Sequence, residues 1–255
     1  MGKMTDYDLH NIIRNKYHEI FRKPLTPKST LLWRYLTHDK FESLIMESAL
    51  YLAKASRFPD PLEGTIPVPS QEHLRHFENQ FMGGYDADRA AEIERDHRNS
   101  TFVTCWHINT LESIYMWKDY CGLSGVVITT YFDKLDDACE NAAKESFFLG
   151  CVNYIMDWTT YYVRLDNAFF RFTTKDAIYH KECEARILHL GSPNEEFVMM
   201  PIILPEVIHR IYVHPLATED YYNGVKALLE KHAPELLSKL EWSSLRGHVT
   251  IEDFE

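Results

Sequence analysis

Residues 101–129 read TFVTCWHINTLESIYMWKDYCGLSGVVIT, and the succession of residue types in this stretch decides the fold class. Thr101 to Trp106 mixes β-branched and aromatic side chains, the composition of a half-buried strand. His107 to Thr110 breaks the pattern, and helical spacing follows from Leu111 to Tyr120. Gly122 and Gly125 stop that helix and turn the chain, and Val126-Val127-Ile128 starts a buried strand. Trp106, Trp117, Tyr115, Tyr120 and His107 concentrate large amphipathic rings here. Such rings either fill a core or line a concave pocket, and core filling is the commoner outcome.

Working upstream, Leu31 to Leu36 predicts a strand, Thr37 an N-cap for a helix to about Glu47, and Leu50-Tyr51-Leu52 a second strand. SRFPDPLEG at 56–64 is a stiff turn-rich loop that could position a side chain or merely brace a strand end. Residues 70–99 are charged and helical with a break at Gly83-Gly84, and read as a lid or insertion, or simply as solvated helices. Residues 6–22 form an amphipathic helix with Leu9, Ile12, Ile13, Tyr17 and Ile20 on one face. Lys23 to Pro27 links it to the rest. That helix could cap the main domain or pair with its copy in a homodimer; capping is the expectation.

Working downstream, a helix is expected from Phe132 to Ser146 and a strand from Gly150 to Ile155. Residues 157–175 look irregular and aromatic. Residues 177–190 end as a strand. Strands are also expected at 202–204 and 207–213, a helix at 218–232, and an edge strand at 240–245. The expected organisation is an N-terminal helical extension and linker (1–27) followed by a single α+β domain (28–255). Its sheet is largely antiparallel.

The net charge of −11 argues against nonspecific attraction to nucleic acid or anionic membranes. No apolar run reaches the roughly 18 residues of a membrane span, and the N-terminus lacks a signal-peptide core. Five scattered cysteines, with no C-x-x-C pair, read as reduced thiols in a cytoplasmic protein. The chain has no dinucleotide glycine fingerprint, Walker A loop, H-E-x-x-H or nucleophile elbow.

Two groups of residues could carry chemistry. In Glu182-Cys183-Glu184-Ala185-Arg186, strand alternation would put Glu182, Glu184 and Arg186 on one face. The carboxylates would then lie about 7 Å apart, their repulsion offset by the arginine. That pair suits stabilisation of a cationic, sugar-like transition state, or it is a solvent-facing ladder. Arg34, between Trp33 and Tyr35, must be paired or face a cleft. It could hold a phosphate or form a structural ion pair with Asp60 or Glu63. Cys105 and His107 share a strand face, so a thiolate–imidazole nucleophile is conceivable. A metal site would need ligands that the scattered histidines do not supply.

These residues resemble those of a bacterial and phage domain-of-unknown-function family. The shared motifs are Arg34-Tyr35, Phe58-Pro59-Asp60-Pro61-Leu62-Glu63-Gly64, Cys105-Trp106-His107, Met116-Trp117-Lys118-Asp119-Tyr120, Gly125-Val126-Val127-Ile128, Glu182-Cys183-Glu184-Ala185-Arg186 and Ile211-Tyr212-Val213-His214-Pro215. More remotely, an arginine on the first strand, hydroxyls opening a middle strand (Ser100-Thr101) and a late E-x-E resemble the arginine–serine–glutamate class of ADP-ribosyltransferases. The hydroxyl motif is Ser-Thr-Phe rather than Ser-Thr-Ser, and it lies far from Arg34 in sequence. The resemblance implies a split sheet and NAD as substrate, without a metal. It also implies transfer of ADP-ribose to a macromolecular acceptor, in a toxin or phage-defence setting. By position, Arg34 would grip the NAD phosphates, Glu184 would stabilise the ribosyl cation and Glu182 would activate the acceptor. Tyr35, Ser100, Thr101, Trp106, His107, Trp117 and Tyr120 would complete the NAD-binding set, with Trp106, Trp117 or Tyr120 stacking on nicotinamide. The alternative is a non-catalytic sensor module that binds a nucleotide-like ligand.

Overall fold

The computed structural model describes residues 29–142, 146–163 and 167–254. The helix expected over 6–22 and its linker lie outside these residues, as does part of the end of the helix expected over 132–146.

The organising element is a nine-stranded sheet among the described residues. Strand β1 (Leu31–Leu36) leads into helix α1 (His38–Glu47) and strand β2 (Ala49–Lys54). Thr37 occupies the cap position of α1 but makes no side-chain cap; its carbonyl accepts the Phe41 N–H at 3.0 Å instead. The charged segment forms two helices, α2 (Val68–Phe81) and α3 (Ala87–Ser100), broken at Gly83-Gly84 as expected. Strand β3 (Thr101–Ile108) runs two residues beyond the expected Trp106, because His107 and Ile108 pair with β1. Helix α4 (Ile114–Cys121) starts three residues later than the spacing suggests, where the Ser113 hydroxyl caps the Met116 N–H. Strand β4 (Val126–Tyr131) and helix α5 (Phe132–Asn141) follow.

The second half departs further from expectation. The strand expected over 150–155 is two strands, β5 (Phe147–Cys151) and β6 (Asn153–Ile155); β6 pairs in parallel with β7 (Thr174–Asp176). A 3-10 turn over Ala177–Glu182 precedes β8 (Glu184–Leu190). The strand expected at 202–204 is instead β9 (Phe197–Pro201), and Leu204–Val207 is a single helical turn, α6. Pro205 suits that first turn because its missing N–H is not needed there. Strands β10 (Arg210–Val213) and β11 (Leu240–Trp242) flank helix α7 (Glu219–His232), and β11 is an edge strand as expected.

The strands run in the order β11-β10-β4-β1-β3-β2-β9, with β8 on the far edge of β3 and β5 beyond it. All pairings in this sheet are antiparallel except β10 with β11. The fold is therefore mixed α/β, with a largely antiparallel sheet and several helices. One face is covered by α1, α5 and α7 over a core that includes Phe41, Leu135, Leu229 and Ile128. The other face carries two smaller cores. One, under α4, includes Trp33, Tyr35, Trp117 and Val127; the other, under a 3-10 turn at Ala168–Phe172, includes Val103, Phe172 and Leu188.

The register contains a fork. Strand β8 occupies one edge of β3 from Thr101 to His107, so β1 and β2 must share the opposite edge. Strand β1 pairs there only with His107 and Ile108, and β2 only with Phe102 and Val103. Between them Thr104, Cys105 and Trp106 have no strand partner on that edge, and the sheet opens.

Candidate functional site

A cavity of about 610 Å³ occupies this fork. Trp33 pairs with His107, so Tyr35, Cys105, Glu184 and Arg186 lie on their face of the sheet, and Arg34, Thr104 and Trp106 on the other. All of these residues line the one cavity, because the divergence of β1 and β2 leaves a passage between the faces. Arg34 and the two carboxylates thus share a single cleft, although strand alternation points them in opposite directions.

The ion pair expected between Arg34 and Asp60 or Glu63 does not form. Arg34 crosses the fork: its Nη2 donates to the Tyr51 carbonyl of β2 at 3.1 Å, and its guanidinium lies 5.7 Å from the Trp106 ring centroid. Its buried Nη1 has no hydrogen-bond acceptor among the described residues, nor do the Trp106 Nε1 and the Thr104 Oγ1. Burial lowers the Arg34 pKa to about 10, which leaves it charged at neutral pH. Three buried donors without acceptors in one cavity leave a hydrogen-bonding capacity that a ligand could use.

Arg186 takes the carboxylate instead. Its Nη1 and Nη2 donate to the two Glu63 oxygens at 2.8 and 3.1 Å, and its Nε to Glu184 Oε2 at 2.6 Å. Nη1 also reaches the Phe172 carbonyl at 2.6 Å, so the guanidinium is saturated and serves as a brace. The turn-rich loop at 56–64 therefore positions a side chain after all: it delivers Glu63, held in its turn by the Asp60 carbonyl 3.1 Å from the Glu63 N–H.

The acidic pair is not the ladder that strand alternation predicts. Glu182 ends the 3-10 turn, and Cys183 adopts a left-handed φ of 39° before the strand begins at Glu184. That residue resets the alternation, so both carboxylates converge on Lys175, whose Nζ donates to Glu182 Oε2 at 2.5 Å and Glu184 Oε1 at 2.8 Å. Burial alone would raise the Glu184 pKa, but Arg186 and Lys175 hold it well below the carboxylate range. Glu182 behaves oppositely. Burial and a hydrogen bond with Glu184 raise its pKa to about 7, against the pull of Lys175. One carboxylate is fixed as an anion and its neighbour titrates near neutrality, the division of labour that acid–base chemistry requires.

Other expected residues fall on both sides of the cavity wall. Tyr35, Trp106, His107 and Tyr120 line it. The Tyr35 hydroxyl accepts the Ser113 N–H at 2.8 Å. His107 Nδ1 donates to the Glu182 carbonyl at 2.7 Å, so its Nε2 is the acceptor, 3.2 Å from Asn109 Nδ2; burial lowers its pKa and keeps it neutral. The expectation fails for three residues. Trp117 is fully buried under α4, where its Nε1 donates to Glu112 at 3.0 Å and its ring meets Tyr35 edge-on. Ser100 closes α3 with its hydroxyl on the Asp96 carbonyl, and Thr101 is buried at the far end of β3, opposite Leu190. The distance along β3 keeps both out of the fork.

A cysteine nucleophile fares no better. Burial and the Glu184 charge raise the Cys105 pKa well above normal, and His107 is committed elsewhere. All five cysteines are thiols outside any disulfide. Among the described residues no group of three or more His, Cys, Asp or Glu side chains could hold a metal ion, and no helix is long and apolar enough to cross a membrane.

Lys175 escaped sequence reasoning altogether. The only signal was a lysine in RFTTKD, between Arg171 and Asp176, which does not distinguish a buried bridge from a surface residue. No family model matches the chain, and no curated protein matches it either.

Proposed function

We propose that the fork cavity binds NAD and cleaves its glycosidic bond, passing ADP-ribose to a macromolecular acceptor, in a sheet split in the manner of ADP-ribosyltransferases. The observation that carries this reading is the meeting, in one cavity, of a charged arginine that has no carboxylate partner among the described residues with an acidic pair. Arg34 would take the pyrophosphate through its unused N–H. Breaking the bond between C1′ and the pyridinium nitrogen sends the electron pair to nicotinamide and leaves an oxocarbenium ion on the ribose. Glu184, anionic throughout, favours that ion electrostatically. The acceptor oxygen then attacks C1′ while its proton passes to ionised Glu182.

The test is incubation with labelled NAD. Release of free nicotinamide together with a labelled macromolecule is expected. Absence of both, with no change of melting temperature on adding NAD, overturns the reading.

One observation favours a second reading, a binding module without turnover. Both Glu184 oxygens are engaged by Arg186 and Lys175, which leaves little room for a ribose hydroxyl. A melting-temperature rise with NAD but no nicotinamide release would select it.

A further inference from the structure

The acidic wall of the cavity has an uneven charge count. Arg186 and Lys175 supply two positive charges against the carboxylates of Glu63, Glu184 and Glu182. Arg186 and Glu63 satisfy each other, and Lys175 lies between the other two carboxylates. The cluster is neutral only when Glu182 carries a proton, and has one negative charge in excess when it does not. Glu63 and Glu184 are at most 5% exposed, whereas the Glu182 side chain, which lines the cavity, is a quarter exposed. Glu182 is thus the member of the cluster where charge can be exchanged with whatever fills the cavity.

We infer that this wall takes up a monocationic group of a ligand in exchange for the Glu182 proton. The favoured cation is planar and delocalised, of the N-alkylpyridinium class, because the rings of Tyr35 and Tyr120 line the same cavity and an aromatic face attracts such a cation; the Tyr179 ring already carries the Lys175 ammonium, 4.5 Å from its centroid. At the fork, the buried Trp106 Nε1–H and Thr104 hydroxyl, with Arg34 Nη1, have no acceptor among the described residues. The cavity thereby offers donors in its fork and a displaceable proton on its acidic wall, which suits a ligand carrying both an anionic and a cationic group. The identification of the cation as a pyridinium rests on the NAD reading; the exchange itself does not.

The groups facing Glu182 leave it as the source of the proton. Lys175 on β7 and Arg186 on β8 are held charged by their carboxylates, and Glu184 is held ionised. His107 on β3 is kept neutral by burial. Tyr120 on α4 and Tyr154 on β6 have pKa values raised by burial and by Glu182 and Glu184, so they stay protonated. Cys105 on β3 is a thiol, and the Cys183 thiol beside Glu182 is also raised by burial. The ammonium of Lys181, on the same turn as Glu182, lies over the Tyr115 ring rather than on the acidic pair.

The test is calorimetric titration of the full chain with 1-methylnicotinamide, a cation, in two buffers of different ionisation enthalpy. At pH 7 about half a proton should be released per cation bound, because Glu182 is then about half protonated. Affinity should weaken about tenfold per pH unit below 7 and level off above it. Neutral nicotinamide should release none. Glu182→Gln should remove both the proton release and the pH dependence. Binding without proton release, or no binding of the cation, overturns the inference while leaving NAD cleavage to its own assay. Proton-coupled binding in a protein that never cleaves NAD supports the exchange and sinks the transferase reading.

Discussion

Glu63 and Arg186, 123 positions apart in the chain, form a forked ion pair of 2.8 and 3.1 Å with both side chains at most 2% exposed. The pair ties the loop at 56–64 to the strand that carries Glu184. Removing the Glu63 charge leaves buried Arg186 with Glu184 as its remaining carboxylate, so the cost should lie at the lower end of the about 3–5 kcal/mol that breaking a buried pair carries. For a chain of this size that corresponds to a fall in melting temperature of roughly 10 °C. Glu63→Gln should show it in thermal melts. A loss below about 1 kcal/mol, the level of an exposed pair, would mean that water reaches Arg186.

Arg34 should behave in the opposite sense. Among the described residues it is a desolvated cation with one carbonyl partner and no carboxylate, so replacing it by an apolar chain of similar volume removes an electrostatic cost. Arg34→Met should melt at the same temperature as the parent or a few degrees higher, and should abolish any rise in melting temperature caused by NAD. Loss of stability in this variant would make Arg34 a structural residue and take away the proposed phosphate contact.

Gly64 follows Glu63 at φ +71°, and a Cβ there would lie 2.4 Å from the ring of Phe172, which is fully buried. The left-handed backbone and the blocked space act together. Gly64→Ala should destabilise by roughly 2–4 kcal/mol, measured by urea unfolding. Gly122 also has a positive φ, +62°, but with ψ −119° and open space around it, so Gly122→Ala should cost about 1–3 kcal/mol from the backbone alone, less than at Gly64. Equal costs would show that backbone conformation alone, and not the Phe172 contact, sets the penalty.

Local signals carried much of the fold and the wrong half of the site. The strands at 31–36 and 126–131 and the helix at 219–232 were legible because each has one period and a turn or cap at its ends. Strand β9 was not, because FVMMP is too short to show alternation and Pro205 suggested a break where a helical turn begins. At the site, Arg34 and the late acidic pair were legible as charges in apolar company. Their partners were not. With two strand arginines and one buried loop glutamate, nothing local says that Glu63 goes to Arg186 rather than to Arg34. The convergence of Glu182 and Glu184 depends on the left-handed conformation at Cys183, which cysteine does not advertise. Trp117 belongs to the core because the register of β1 against β4 places α4 over Tyr35 and Val127, a long-range fact.

His214 supplies a pH dependence apart from the cavity. It is fully buried, accepts the Leu216 N–H on Nδ1 at 3.1 Å and therefore donates from Nε2 to the Gly122 carbonyl at 3.2 Å. Burial lowers its pKa from 6.5 to about 4. The unfolded chain thus binds a proton that the folded chain refuses between those two values. Stability is complete above pH 6.5 and falls as the pH drops toward 4, by on the order of 3 kcal/mol from this residue. The pKa values of His97, His107 and His209 are also lowered by burial and contribute in the same direction. Glu182, its pKa raised to about 7, acts in the opposite sense over the same range, so the His214 share is read by comparing urea unfolding free energies of parent and variant between pH 7 and 4. Glutamine can still donate to the Gly122 carbonyl but cannot take up the proton, so His214→Gln should flatten the slope by up to one proton. An unchanged slope in that variant would show that His214 titrates alike in the folded and unfolded chain.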